Sequence, residues 1–83
     1  MSEAAKRLAL KYKTISTPSA TQVLHFKMLT NQYRREGYSL EQAGQKAAEK
    51  AFRIDEKIIR KSQGDTLEAL LNLIESENRE GKL

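Results

Sequence analysis

Six basic residues recur at helical spacing in the third quarter of the chain. On a helical wheel they share one arc of about 100°, and no acidic residue falls inside that arc. Aligned ammonium and guanidinium groups can neutralise the phosphates of a polyanion and release its counterions. The residues, named here the basic stripe, are Lys46, Lys50, Arg53, Lys57, Arg60 and Lys61. The spacing therefore predicts a face that binds DNA or RNA, mostly through phosphates.

A solvated helix face is the main alternative interpretation of the basic stripe. Glu49 precedes Arg53 by four residues, and Glu56 precedes Arg60 by four. This spacing and order favour ion pairs within the helix. An acidic protein groove or a membrane surface is a third possible target, less favoured than the first two. No aromatic residue interleaves the stripe, which argues against a platform that stacks bases.

Other residues extend or compete with this prediction. Four further basic residues could widen the basic surface, namely Lys6, Arg7, Arg34 and Arg35. Phe52 and Ile59 project from a third side of the same helix, which indicates either burial on two sides or a contact surface for self-association. The second possibility predicts a different function, a protein-interaction module that acts as an inhibitor or assembly factor.

Residues that most reaction types require are missing from the chain. His25 is the single histidine, there is no cysteine, and the four glycines are isolated from one another. Nucleophilic triads need a base beside a nucleophile, structural zinc needs four Cys or His ligands, and phosphate-cradling loops need clustered glycines. We therefore expect a non-enzymatic protein with no catalytic residues, metal, cofactor or small-molecule substrate.

The pattern along the chain is helical throughout. Charged residues make up 31% of the chain, there is one proline, and apolar residues recur at spacings of three and four. We predict an all-α fold, a small bundle of three to four short helices without a β-sheet. The division along the chain is a basic helix or arm over 1–16, a single helical domain over 17–80 and a frayed tail over 81–83.

Capping signals place the first three helices. The first covers about Glu3 to Thr14, with Ala5, Leu8, Tyr12 and Ile15 on its apolar face. The second begins either with Thr17 as cap before Pro18 or with Ser19 and Gln22 in a capping box, and it ends at Gly37. Ser39 and Gln42 predict a second capping box at the start of the third helix. That helix could run for up to ~24 residues, with a break near Arg53–Asp55 as the alternative.

The third helix presents a face of small residues to its neighbours, and the chain ends in an acidic helix. Helices two and four are predicted to pack on Leu40, Ala43, Ala47, Ala51, Ile54 and Ile58. Asp65 is predicted to cap the fourth helix, whose polar end from Ser76 onward should fray.

The charge is unevenly distributed over a chain of marginal size. Residues 1–61 hold thirteen Lys and Arg against six Asp and Glu, a net of +7, whereas residues 62–83 have a net of −3. An 83-residue chain without cysteine has a thin core and no disulfide, so we expect a homodimer or a monomer stabilised by its partner. No signal peptide or membrane span is evident, and a cytoplasmic location is expected.

Overall fold

Four helices account for most of residues 3–52 and 66–82, the parts of the chain that the computed structural model describes. They are α1 (Glu3–Tyr12), α2 (Ala20–Arg35), α3 (Leu40–Ala51) and α4 (Leu67–Glu80). No strand or sheet occurs in these two stretches, and the helices pack around one core. The predicted all-α bundle is confirmed.

Both serine capping boxes form. The Gln22 amide donates to Ser19 Oγ at 3.2 Å, and the Ser19 amide donates to Gln22 Oε1 at 2.9 Å. Ser39 and Gln42 repeat this arrangement at 3.3 and 3.4 Å. Ser19 rather than Thr17 therefore caps α2. Gly37 follows the C-cap of α2 with a φ of +106°, a left-handed conformation that glycine adopts without steric cost.

The small-residue face of α3 is buried, as predicted. Its fully buried members include Ala43, Ala47 and Ala48, while Leu40 is half-buried. Helices α2 and α4 both pack on this face. Their largest buried side chains are Val23, Phe26, Leu67, Leu70 and Ile74. Ile54 and Ile58, which were predicted to extend the face, lie outside the described residues.

Helix α3 is shorter than an uninterrupted pattern predicts. It ends at Ala51, and Phe52 has an extended backbone with φ −119° and ψ 159°. The Phe52 ring is 5% exposed and stacks on Phe26, with centroids 5.2 Å apart and an interplanar angle of 19°. Of the two possibilities that the sequence left open, the structure has a break, which comes just before Arg53. In the extended conformation Phe52 reaches the core, and burial of its ring stabilises the break.

Helix α1 is a docked helix rather than a free arm. At its N-terminus the buried carboxylate of Glu77 accepts hydrogen bonds from the Ala4 amide at 3.0 and 3.2 Å. At its other end Lys11, which is buried, lies 3.7 Å from the Glu41 carboxylate. Ile15 is 70% exposed instead of facing the core, because α1 ends at Tyr12.

Helix α4 differs from its prediction at both ends. Its N-cap is Thr66 rather than Asp65, and Thr66 Oγ1 accepts from the Ala69 amide at 3.2 Å. The helix also continues past Ser76 to Glu80, so fraying from Ser76 onward is wrong. The physical reason is Glu77, whose buried bond to α1 holds the last turn in the bundle.

Gly44 is the point of closest approach between three helices. A Cβ atom added there would overlap the Leu67 side chain of α4 and lie 2.7 Å from the Tyr12 hydroxyl of α1. Glycine inside a helix costs roughly 1 kcal/mol relative to alanine. The missing side chain therefore makes room for tight packing at the expense of local helix stability.

We expect Gly44→Ala to lower the free energy of unfolding by about 1–2 kcal/mol, because overpacking outweighs the gain in helix propensity. Urea denaturation followed by circular dichroism measures the change. Gln45→Ala, at an exposed neighbour on the same helix, is the matched control and should be close to neutral. Adding Tyr12→Phe to Gly44→Ala should recover part of the loss. A Gly44→Ala variant more stable than the wild type would contradict the packing explanation.

Candidate nucleic-acid interface

Two residues of the basic stripe lie on the exposed side of α3. Lys46 and Lys50 are one helical turn apart, and both are exposed. They flank the arc of buried alanines on the helical wheel, so packing of the core and presentation of the lysines follow from one helical periodicity. The other four residues of the stripe lie outside the described residues, namely Arg53, Lys57, Arg60 and Lys61.

Each of the two lysines lies over a tyrosine ring. Lys46 Nζ is 4.9 Å from the centroid of the Tyr38 ring, and Lys50 Nζ is 5.4 Å from that of Tyr33. The two rings contact each other edge to face, with centroids 5.7 Å apart at 79°. We name these four residues the lysine–tyrosine surface. Attraction between a cation and the ring face favours this position of each ammonium group.

The turn between α2 and α3 brings the tyrosines together. Tyr33 belongs to the last turn of α2, and Tyr38 directly follows Gly37. The positive φ of Gly37 reverses the chain, and the Tyr38 amide then donates to the Tyr33 carbonyl oxygen at 3.2 Å. The lysine–tyrosine surface is therefore built on a capped helix end rather than on a free loop.

Sequence reasoning missed these aromatic residues. No aromatic residue interleaves the stripe along α3 itself, but two enter from the preceding turn. The signal was the position of Tyr33 and Tyr38 on either side of the Gly37 helix stop. A search confined to one helix does not find it, because the contact joins two helices.

The charge on Lys50 is reinforced by its surroundings. A hydrogen bond with the Tyr33 side chain is the largest cause that raises the pKa of Lys50, followed by the electrostatic effect of the same group. Desolvation acts in the opposite direction, and the charge of Glu36, the smallest of the causes, again raises the pKa. Together these effects favour the charged form of Lys50. Glu36 also offsets part of the positive field that an anionic partner would meet.

The residues predicted to extend the basic surface are distributed over two helices. Lys6 and Arg7 are exposed on α1, where Arg7 Nε donates to Glu3 Oε1 at 3.1 Å. Arg34 and Arg35 are exposed in the last turn of α2. Arg34 lines a groove between α2 and α4. Arg34 therefore faces α4 across this groove, although it belongs to the last turn of α2.

Phe52 belongs to the core rather than to an exposed apolar side. Of the two alternatives, burial is the one that the structure has, because Phe52 stacks on Phe26. A buried ring is unavailable as a contact surface, so the interaction prediction fails for this residue. Ile59, its predicted partner, lies outside the described residues. Among residues 3–52 and 66–82, the large apolar side chains with the greatest exposure are instead Leu10, Ile15 and Met28.

The strongly shifted tyrosine lies in the interior, away from the lysines. Burial, followed by the charge of Glu41, raises the pKa of Tyr12 well above its usual range. Its buried hydroxyl has no hydrogen-bond partner within residues 3–52 and 66–82. The shift is a consequence of the tight packing around Gly44 and gives no indication of chemistry.

The described residues contain neither a metal-ligand cluster nor a helix that could span a membrane. His25 is exposed on α2. No group of three His, Asp or Glu side chains that could hold a metal ion occurs in the described part of the chain. None of the four described helices is both long enough and apolar enough to cross a membrane.

Comparisons with protein-family models, with curated proteins and with solved structures give no match to this chain. Its function is therefore inferred from its own residues. The lysine–tyrosine surface is the arrangement in which several of these side chains converge on an exposed face.

Tyr33→Phe tests how the lysine–tyrosine surface is held together. The variant keeps the ring beneath Lys50 and removes the hydroxyl. We expect the pKa of Lys50 to fall toward its ordinary value, because the hydrogen bond with Tyr33 is the main cause that raises it. NMR titration of the lysine side chains measures the change. Tyr38→Phe is the matched control and should leave the Lys50 value unchanged, and an unshifted Lys50 in Tyr33→Phe would refute the contact.

Proposed function

We propose that this protein is a non-enzymatic nucleic-acid-binding factor, with a regulatory or accessory role, that contacts phosphates through Lys46 and Lys50. The observation that supports this most directly is the lysine–tyrosine surface. It presents two ammonium groups one turn apart on an exposed helix face, each over an aromatic ring. Because α3 ends at Ala51, its helical register does not carry on to the other four residues of the basic stripe, and their part in binding stays a prediction from the sequence.

The spacing of the two lysines suits a phosphate backbone. Four residues of α-helix span ~6 Å along the axis. One strand of DNA carries a charge about every 3.4 Å, so this distance corresponds to about two phosphates. Contacts of this kind position a protein on nucleic acid without reading its sequence. The proposal is accordingly one of salt-dependent and sequence-tolerant binding.

Preorganisation adds to the suitability of the surface. A free lysine side chain samples many rotamers, and fixing it on binding costs conformational entropy. Lys46 and Lys50 already lie over Tyr38 and Tyr33, so less freedom remains to be lost. The side chain of Tyr33 also raises the pKa of Lys50, which favours the charged form.

The charge layout favours one orientation of an anionic partner. Helix α4 exposes the carboxylates of Glu68, Glu75 and Glu80. These would repel a phosphate backbone, whereas the lysines of α3 would attract it. The net charge along the chain agrees with this orientation, since it is +7 over residues 1–61 and −3 over residues 62–83. The cytoplasmic location expected from the sequence remains part of the proposal.

Reversal of the two lysines tests the function. We expect Lys46→Glu/Lys50→Glu to bind duplex DNA and RNA much more weakly than the wild type, because two phosphate contacts become repulsive. Fluorescence anisotropy at several salt concentrations measures this. The slope of log affinity against log salt should become shallower by about 2, which corresponds to roughly one unit per lost phosphate contact.

Two further variants make the experiment specific. Lys13→Glu/Lys82→Glu changes the net charge by the same amount at exposed lysines outside the proposed surface, and its affinity should fall much less. Glu36→Gln removes the carboxylate that acts on Lys50 and should strengthen binding. A wild type that does not bind at low salt, or equal losses in the two lysine pairs, would refute the proposal.

A further inference from the structure

A groove of about 470 Å³ lies between α2 and α4. One wall is formed by side chains of α2, and the opposite wall by side chains of α4. The polar members are Lys27, Asn31 and Arg34 on the α2 wall and Glu68, Asn72 and Glu75 on the α4 wall. We name this feature the α2–α4 groove. None of the four residues of the lysine–tyrosine surface lines it.

The two walls have the same pattern with opposite charge. On each helix the three polar residues are spaced by four and then three, so they share one face. The charged members of each wall are seven residues apart, which is about 10.5 Å along a helix. The α2 wall therefore carries two cations, and the α4 wall carries two carboxylates at the same separation.

The charged side chains of the two walls are exposed to solvent and do not form ion pairs with each other. Arg34, Glu68 and Glu75 are exposed, and Lys27 is partly exposed. Among the described residues, no ion pair within 4.0 Å joins one wall to the other. Both rows are therefore available to charges of a partner.

The mixed charge restricts what can occupy the groove. A nucleic acid would be repelled by Glu68 and Glu75, and a purely basic partner would be repelled by Lys27 and Arg34. A suitable partner must carry both signs with the same separation of about 10.5 Å, the length of seven helical residues. A second copy of this chain has that arrangement.

We propose that the α2–α4 groove is a homodimer interface. In a two-fold symmetric dimer the α2 wall of one protomer faces the α4 wall of the other, and the reverse holds across the axis. Lys27 and Arg34 then meet carboxylates of the partner's α4 on both sides of the axis. The interface is self-complementary in charge, as such symmetry requires.

Apolar side chains supply contact area for the same interface. Leu40 and Leu71 line the groove and are only partly buried. Association would remove these groups from water and add to the thin core expected for a domain of this size. The lysine–tyrosine surface would remain open on each protomer.

Charge reversal with complementation tests the dimer. We expect sedimentation equilibrium to give the wild type twice the 9.5 kDa chain mass. Lys27→Glu/Arg34→Glu makes both walls acidic, and Glu68→Lys/Glu75→Lys makes both basic, so each variant alone should be monomeric. An equimolar mixture should recover the dimer mass, because every pair across the interface is again opposite in charge.

The result can overturn the proposal in two ways. A wild type that is monomeric at about 100 µM, where a micromolar association would be nearly complete, refutes it without any variant. Two folded variants that both remain dimeric, or a mixture that remains monomeric, would also refute it. Cooperative thermal unfolding, followed by circular dichroism, verifies that each variant is folded. The double variant Lys27→Gln/Glu75→Gln is a milder substitution, because it neutralises one charge on each wall, and we expect it to weaken the dimer.

Discussion

The fold depends on how closely other helices can approach α3. Its buried face consists of Ala43, Gly44, Ala47, Ala48 and Ala51, with no side chain larger than a methyl group. This allows α2, α4 and Tyr12 of α1 to pack against one short helix. A domain this small has little apolar area to bury, so close packing of the helices compensates for the small number of large buried side chains. The same face turns Lys46 and Lys50 outward.

The charged residues fall into two groups, a few that are buried and hold the helices together and others that are exposed on the surface. Lys11 and Glu77 are buried, and both hold α1 in place through contacts with other helices. An anionic side chain at a helix N-terminus also interacts favourably with the helix dipole. Lys46 and Lys50 are displayed on α3, whereas Glu68 and Glu75 face the α2–α4 groove. The groove also contains Lys27 and Arg34, so it carries both signs of charge, whereas the lysine–tyrosine surface is basic, which is why we propose different partners for them.

Local signals predicted the parts of the fold that depend on neighbouring residues. The Ser19 and Ser39 capping boxes and the stop at Gly37 need only a few adjacent residues, and the alanine spacing shows which side of α3 is buried. The end of α3 could not be predicted in this way, because Phe52 leaves the helix in order to stack on Phe26, 26 positions earlier. Glu77 was likewise predicted to lie in a frayed tail, because its hydrogen bond to the Ala4 amide joins residues far apart in the sequence.

The candidate site was only partly predictable. Helical spacing selected Lys46 and Lys50 correctly as exposed residues, and four members of the basic stripe lie outside the described residues. Tyr33 and Tyr38 entered the site through tertiary contact, which periodicity along α3 cannot reveal. Packing across the bundle also assigned Arg34 to the α2–α4 groove. The pattern along α3 alone thus located the two lysines, whereas the tyrosine rings beneath them come from the turn between α2 and α3.

In the proposed function, phosphates bind at α3 and not at α4. NMR chemical-shift mapping during titration with a short DNA duplex tests this directly. We expect shift changes to concentrate at Lys46, Lys50 and the two tyrosines, while the exposed residues of α4 stay unperturbed. Changes centred on Glu68 and Glu75, or no localised changes at all, would contradict it.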